Sequence, residues 1–525
     1  MRAWILGSWV VALVFGAPLH SRVVVFQEPG FPTVESDAPD RRTLEGALAD
    51  LRPEFLDLDG LQEPDSLADV ELLVLPYGSA YPADAWPALR SYIHGGGNLL
   101  NLGGRALWVP VFADPEAPDG FRQERGQGTY WRVLAPVHAA EVPRRDYSRF
   151  AWDPVFPFET AEIRVERVFT IDTLFVANFL SPEGKWRGLG FFFDEAGHKI
   201  ASPMTRFDYV VTPPGRQAKG RGRFVMLPFE PQQGYWESAA GRSLIREAAR
   251  HAAGGSATVW LQLPLASVHE GEVAQAILHL RDHQPPAAGD SSRRSVTVRL
   301  ERDGEVLDSQ VGALDGNALD TSLLFPAATE PGLYKLTATY QEDGEVVDVH
   351  ETGFWRRDEM LLASGARLGV GSTYLRRDGR PFIPIGVNMW VNDTNWPFFP
   401  SNANAFEWDR DFAEMAERGL NFVRTGIWFS RELLVDRPTR TAKEEVLRNL
   451  ESMLHAAGRH GLQVQFTVFS FEPQTTKKGG SGILGPGRNP YTDPVAIESQ
   501  AAFIESIVAR FQDVPVVSWD LINEP

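Results

Sequence analysis

The chain of 525 residues is long enough for three or four domains, and its 43% hydrophobic and 23% charged residues are ordinary for soluble globular protein. Its formal net charge of -18 argues against nucleic-acid binding, which needs clustered Lys and Arg to neutralise phosphates. The sequence contains no cysteine, which excludes disulfides, thiolate metal sites and thiol nucleophiles.

The chain begins with an apolar leader. One Arg precedes an apolar stretch over residues 3–18, and small and polar residues follow. This pattern is typical of a secretory signal peptide, which we assign to residues 1–21. The stretch is short for a stable membrane span, which needs roughly 20 apolar residues. The sequence therefore predicts a secreted or periplasmic protein. The alternative is that the stretch forms a buried first strand or helix.

Residues 22–255 alternate short apolar runs with helical patterns, which predicts a doubly wound parallel sheet with helices on both faces. The arrangement resembles the class I glutamine amidotransferase-like domain of some β-galactosidase-type hydrolases. In that family a catalytic Cys occupies the turn after one strand, and here Leu102, Gly103 and Gly104 stand there. Without a thiol, the resemblance implies a packing or homo-oligomer-forming role, and ligand binding stays open.

Residues 256–358 change to alternating strands separated by turn signals. The dipeptides Asp303-Gly304 and Asp343-Gly344 suit the positive φ angles of tight hairpins. Short strands at even spacing over about 100 residues predict an immunoglobulin-like β-sandwich. A spacer role is favoured for it over carbohydrate binding.

Residues 366–525 predict the N-terminal half of an eight-fold β/α (TIM) barrel, since four strands alternate with three helices. The predicted strands cover residues 380–390, 421–428, 462–469 and 515–522. Thr441 and Glu444 have the spacing of a capping box at the start of the second helix. Asp493 before Pro494 predicts the N-cap of the third.

Active sites of such barrels lie at the carboxyl ends of the strands. The residues just past the apolar runs include Asn388, Trp390, Arg424, Trp428, Ser470, Phe471, Asn523 and Glu524. We assign Asn388 to substrate binding. Trp390, Trp396, Trp428, Phe471 and Tyr491 could stack on sugar rings, although each aromatic residue alone is more often a packing residue.

The sequence "DLINEP" at residues 520–525 resembles the end of the fourth strand in clan A glycoside hydrolases, which include the family 5 cellulase and mannanase type and the β-galactosidase type. The resemblance covers residues 368–525. It implies that Glu524 is the general acid/base, that Asn523 contacts the 2-hydroxyl of the sugar, and that Arg424 helps to hold the charge of the nucleophile.

Glycosidic cleavage with retention needs an acid that protonates the leaving oxygen and a second carboxylate roughly 5 Å away. Glu524 would need a raised pKa to remain protonated near neutrality, and Arg424 would keep the partner carboxylate ionised. The family carries its nucleophilic Glu at the end of the seventh strand, which has no counterpart among these 525 residues. We therefore expect a retaining glycosidase of β-linked saccharides in the full-length parent, and an inactive fragment as the sequence stands.

Several alternatives stay open at this stage. The family 5 pattern usually places a His after the third strand, where this sequence has Ser470 and Phe471, so the family within the clan is not fixed. Glu524 and Arg424 could be a buried structural pair. A second class of function is a non-catalytic carbohydrate-binding or assembly protein with a degenerate barrel. The expected partner is an oligo- or polysaccharide, and the sequence suggests no cofactor and no metal.

Overall fold

A computed structural model gives the fold of residues 22–124, 138–156, 158–160, 162–171, 184–209, 222–282, 294–313, 318–389, 403–427, 434–436, 438–469 and 488–523. These residues form mixed α/β structure with seven β-sheets. No helix within them has both the length and the apolar character to cross a bilayer. The predicted signal peptide lies outside the described residues, and the predicted domain boundaries stay predictions.

The first region contains a large sheet with the strand order β2-β1-β3-β5-β13-β12-β11-β9 and two small three-stranded sheets, β4-β6-β7 and β14-β10-β8. Its strands are β1 (Arg22–Phe26), β2 (Glu54–Leu56), β3 (Val70–Leu75), β4 (Ala80–Pro82), β5 (Asn98–Leu102), β6 (Val109–Ala113), β7 (Phe121–Gln123), β8 (His138–Pro143), β9 (Arg149–Trp152), β10 (Val165–Ile171), β11 (Gly184–Phe193), β12 (Lys199–Tyr209), β13 (Arg223–Leu227) and β14 (Phe229–Pro231). Its helices are α1 (Arg41–Ala47), α2 (Leu58–Gln62), α3 (Trp86–Gly95) and α4 (Ala239–Ala253).

Helices cover both faces of the large sheet. Alternate residues of β1 face opposite sides, so Val23 and Val25 belong to the core with α1 and α4, while Val24 and Phe26 belong to the core with α2 and α3. Strands β2, β1, β3, β5 and β13 run parallel, as predicted. Strands β12, β11 and β9 extend the same sheet beyond β13 with antiparallel pairing. The complete sheet is therefore mixed, and the prediction of a parallel sheet holds only for its first five strands.

The second region is a sandwich of two sheets, with strand orders β15-β17-β20 and β16-β22-β21-β18-β19. Its strands are β15 (Ala257–Gln262), β16 (Ser267–Val268), β17 (Ala274–Asp282), β18 (Arg294–Arg302), β19 (Glu305–Ala313), β20 (Ala318–Phe325), β21 (Gly332–Glu342) and β22 (Glu345–Arg356). Inward residues such as Val259, Leu278 and Leu336 are buried between the sheets. Asp303 and Asp343 have φ angles of 51° and 48°, and the glycines that follow have φ angles of 84° and 90°, which confirms the predicted hairpin turns.

The third region contains a short helix, a hairpin sheet and four parallel strands in the order β26-β27-β28-β29. Its helices are α5 (Glu359–Leu362), α6 (Ala405–Glu417), α7 (Glu444–His460) and α8 (Pro494–Phe511). Its strands are β23 (Leu368–Val370), β24 (Leu375–Arg377), β25 (Arg380–Phe382), β26 (Gly386–Asn388), β27 (Phe422–Gly426), β28 (Gln463–Phe469) and β29 (Val517–Ile522). Four parallel strands alternate with three helices, as predicted. That they form half of a closed barrel stays a prediction.

Two local predictions in this region are wrong. The predicted strand over residues 380–390 is divided into β25, which pairs antiparallel with β24, and β26, which pairs parallel with β27. Pro384 lies between them and has no N–H to donate to a ladder. Helix α7 begins at Glu444 after Lys443, so the expected capping box does not form, and Glu444 instead accepts from Arg448. By contrast, Asp493 caps α8 as predicted, because it accepts from the amides of Val495 and Ala496 at 2.9 and 3.2 Å.

A buried carboxylate joins the first region to the sandwich. Asp348 on β22 has no solvent exposure and accepts from Lys185 on β11 at 2.7 Å and from Arg206 on β12 at 2.5 Å. Burial lowers the pKa of Lys185 to about 8, although the Asp348 charge opposes the shift. Since these charges have been removed from water, loss of one partner would leave a buried charge without compensation at this boundary.

A second buried carboxylate joins the sandwich to α7. Glu451 accepts from Ser267 Oγ at 2.6 Å, His269 Nε2 at 2.7 Å and Arg357 Nη1 at 2.8 Å, and its side chain is 1% exposed. One turn further along α7, the His455 ring stacks on Trp355 with their centroids 5.0 Å apart. The helix between β27 and β28 is thereby fixed to the sandwich.

Candidate active site at the carboxyl ends of strands β26 to β29

The four parallel strands have one apolar and one polar face. Val464, Phe466 and Val468 of β28 are buried in the core formed with the helices. The residues between them face the other side of the sheet, because side chains alternate along a strand. Thr467 lies on this second face, as do Arg424 of β27 and Asp520 of β29, which contact each other. In a closed barrel this face would be the interior.

Arg424 is the centre of a hydrogen-bonded cluster on the polar face. Its Nη2 and Nε atoms donate to Asp520 Oδ2 at 2.6 and 3.1 Å. Nη2 also donates to Asn523 Oδ1 at 3.0 Å. The side chains of Arg424 and Asp520 are 25% and 19% exposed, so the pair is largely shielded from water. The structure therefore brings together Arg424 and Asn523, two of the residues assigned from sequence.

Sequence reasoning did not identify Asp520. This carboxylate accepts from Thr467 Oγ1 at 2.8 Å in addition to Arg424, and Thr467 is its Cα partner in the parallel ladder. The sequence feature that could have identified Asp520 is a charged residue inside a mostly apolar strand, because β29 reads VSWDLI. A carboxylate in such a strand needs a cation or several donors nearby. Asp520 orients the Arg424 guanidinium and, through it, the amide of Asn523.

The backbone places the end of β29 in a defined position. The Asn523 amide donates to the Phe469 carbonyl at 2.9 Å, which extends the β28–β29 pairing one residue past the strand. Glu524, the assigned general acid/base, follows directly in the chain and lies outside the described residues. Hydrogen bonds thus hold both the backbone amide and the side chain of Asn523, the residue that precedes Glu524.

The remaining assigned residues have different outcomes. Asn388 is exposed at the end of the edge strand β26, and Arg424 is its Cα partner in the ladder. Tyr491 is 51% exposed in the turn that precedes α8. Its role in substrate binding stays a prediction. The other four assigned aromatic residues lie outside the described residues: Trp390, Trp396, Trp428 and Phe471.

The described part of the chain contains no group of three or more His, Asp or Glu side chains placed to hold a metal ion. The histidines of α7 instead have local partners. His460 Nε2 lies 2.9 Å from Asp409 Oδ1, and His455 Nδ1 lies 2.8 Å from the Glu451 carbonyl.

The turn after β5, where the sequence has Gly103 and Gly104, is closed by packing. Gly103 and Gly104 have φ angles of 77° and 58°, and a side chain at either position would collide with Ser36 or with Ser79. Glu35 accepts from Ser79 Oγ at 2.5 Å and from Arg105 Nε at 2.8 Å beside this turn. Although burial opposes ionisation, these hydrogen bonds lower the pKa of Glu35. This corner therefore consists of satisfied polar contacts around two glycines and has no room for a nucleophile.

Comparison with known proteins gives partial likenesses to solved β-glycosidases. No protein-family model and no curated protein matches the sequence. An exo-beta-1,4-mannosidase from Opitutaceae bacterium strain TAV5 is 26% identical over 30% of this chain and 28% of its own, with a TM-score of 0.24. A beta-galactosidase from Bacillus circulans sp. alkalophilus is 12% identical over 57% of this chain and 41% of its own, with a TM-score of 0.27. An FMN-binding beta-glucuronidase from Facaelibacterium prausnitzii L2-6 is 15% identical over 51% of this chain and 34% of its own, with a TM-score of 0.19. The chain thus spans less than half the length of each of these structures.

Proposed function

We propose that the complete protein is a retaining glycosidase that hydrolyses β-linked saccharides. Glu524 is the general acid/base, Asn523 binds the hydroxyl next to the anomeric carbon, and Arg424 is the cation beside them. The observation that carries the proposal is the Arg424 cluster, in which one guanidinium holds Asn523 at the carboxyl end of the strand that leads directly into Glu524.

The chemistry follows from this placement. A general acid at Glu524 protonates the glycosidic oxygen as the bond breaks, and the same carboxylate then removes a proton from the attacking water. A second carboxylate must lie on the opposite face of the sugar, and we propose that it comes from a part of the complete protein outside residues 1–525. Arg424 stabilises negative charge near the anomeric centre, where that nucleophile has to be ionised.

Two further parts of the proposal concern the rest of the chain. Residues 1–21 direct export, so that the enzyme acts in the periplasm or outside the cell. The first region acts as a packing or oligomer-forming module, since its Gly103-Gly104 turn leaves no space for a catalytic side chain.

The test is hydrolysis of aryl β-glycosides by the complete natural protein and by its Glu524→Gln variant. Removing the general acid is expected to lower kcat/KM by about 100-fold or more for nitrophenyl glycosides, and by less for dinitrophenyl glycosides, whose leaving group does not require protonation. NMR of the first-formed product is expected to show the β-anomer. Glu498→Gln, at an exposed position on α8, is the matched control and should retain full activity.

Three results would refute the proposal: inversion at the anomeric carbon, full activity in Glu524→Gln, or no hydrolysis by the natural protein. Saturable saccharide binding without any turnover would support the non-catalytic class instead.

A further inference from the structure

A cleft of about 340 Å³ lies beside β9, the edge strand of the eight-stranded sheet in the first region. It is lined by residues of this region alone, so it is separate from the Arg424 cluster. A volume of this size is at the lower end of the range for small-molecule sites and suits one or two sugar rings. The cleft contains no residue of the Gly103 turn and none of the Arg424 cluster.

The floor of the cleft is aromatic and rigid. The rings of Tyr147 and Phe192 stack in parallel with centroids 4.3 Å apart and an interplanar angle of 11°. Phe150 packs against Phe192 at 5.2 Å. The Tyr147 hydroxyl donates to the Val142 carbonyl. Burial raises the pKa of Tyr147 well above its usual value, and the nearby negative charge of Asp146 raises it further. The floor therefore presents preformed apolar surface.

The rim of the cleft is cationic in a protein that is acidic as a whole. Three arginines and one glutamate line the cleft, which gives it a formal charge of +2 against -18 for the chain. Arg164 is neutralised by a bidentate pair with Glu162 at 2.9 and 2.9 Å. Arg144 has no carboxylate partner among the described residues. The Arg149 guanidinium rests 3.7 Å from the centroid of the Phe193 ring, on the face of β9 opposite to Phe150, so Arg144 is the arginine that a ligand on the aromatic floor would meet.

We infer that this cleft binds an anionic sugar unit, a uronate, through its carboxylate and one ring face. Arginine presents parallel N–H donors that match a carboxylate, and the electrostatic attraction is concentrated because the surrounding surface is negative. The aromatic floor supplies the apolar surface for the ring. That the ligand is a saccharide, and not another carboxylate with a ring, rests on the proposed function. That the ligand carries a carboxylate rests on the arginines of the cleft alone.

The test measures binding of glucuronate to the complete protein by isothermal titration calorimetry, with methyl β-glucoside and acetate as probes that carry only the ring or only the charge. Glucuronate should bind with saturation, and more weakly as salt is raised. Methyl β-glucoside and acetate should each bind at least about tenfold more weakly, since each lacks one of the two contacts. Binding of either probe as tight as that of glucuronate, or no saturable glucuronate binding at millimolar concentration, would overturn the inference.

Matched variants locate the site. Arg144→Gln should weaken glucuronate binding about tenfold, because it removes a charge-assisted hydrogen bond. Arg149→Gln should have a smaller effect, because this guanidinium rests on the Phe193 ring on the other face of β9. Arg145→Gln carries the same charge change at the neighbouring position, but this side chain is 85% exposed and does not line the cleft, so binding should be unchanged. Equal effects of Arg144→Gln and Arg145→Gln would refute the assignment.

Hydrolysis separates this inference from the proposed function. Arg144→Gln should leave the kcat/KM for a neutral aryl glycoside unchanged, whereas Glu524→Gln should leave glucuronate binding unchanged. A protein that binds glucuronate but hydrolyses nothing would contradict the proposed function alone.

Discussion

The His455 imidazole is buried at the boundary between the sandwich and helix α7, where only its neutral form fits. Its Nδ1 atom faces the Glu451 carbonyl at 2.8 Å, and its Nε2 atom faces the Asp358 amide at 2.9 Å. A carbonyl can only accept and an amide can only donate, so Nδ1 carries the proton and Nε2 is the acceptor. Protonation of Nε2 would place two donors against each other.

The magnitude follows from the shift in pKa. Burial lowers the pKa of His455 to about 4, against the attraction of Glu451. Because the folded pKa lies below the unfolded value of about 6.5, the unfolded state binds the proton more readily, and stability falls as the pH drops below about 6.5. Between pH 7 and pH 5 this group alone should reduce the free energy of unfolding by about 2 kcal/mol, at about 1.36 kcal/mol per pH unit.

The assay compares urea unfolding of the natural protein and His455→Gln at pH 7, 6 and 5, following the transition that unfolds α7. The variant loses the stacking on Trp355 at every pH, but it cannot take up the proton. The stability difference between the two proteins should therefore shrink by about 2 kcal/mol from pH 7 to pH 5. Ser452→Ala, at a buried and non-titrating position on the same helix, should give a difference that does not depend on pH. A constant difference for His455→Gln would refute the reasoning.

Two further predictions concern carboxylates that are paired with cations. On the proposed function, Asp520→Asn in the complete protein should lower kcat/KM about tenfold, because a charge-assisted bond that orients Arg424 is lost, while the protein remains folded by circular dichroism. Unchanged kinetics would show that Asp520 does not position Arg424. Asp348→Ala should destabilise the protein by about 3 to 5 kcal/mol in chemical unfolding, because it leaves Lys185 and Arg206 buried without this counterion. Glu345→Ala, at the exposed start of the same strand, should change stability by less than about 0.5 kcal/mol, and an equal loss in both variants would contradict the argument.

Features set by short-range chemistry were predictable from the sequence. The hairpin turns at Asp303 and Asp343 follow from the φ angles that Asp-Gly pairs adopt, and the α8 N-cap follows from Asp493 before Pro494. Alternation of apolar runs and helical patterns predicted the parallel part of the first sheet and the four parallel strands of the third region. Strand order within these sheets then brings Arg424 and Asn523 to the same edge.

Contacts between residues far apart in the chain were decided only by the tertiary structure. The partnership of Arg424 with Asp520 spans 96 residues, and nothing in the local sequence of either strand specifies which opposite charge it meets. The same holds for Asp348 and Lys185, which are 163 residues apart, and for the cleft, where residues 144–150 meet Phe192 and Gln232. Local propensity fixes φ and ψ angles, caps and periodicity. The pairing of buried charges instead depends on how whole sheets pack, because a charge removed from water must find its partner wherever the fold places one.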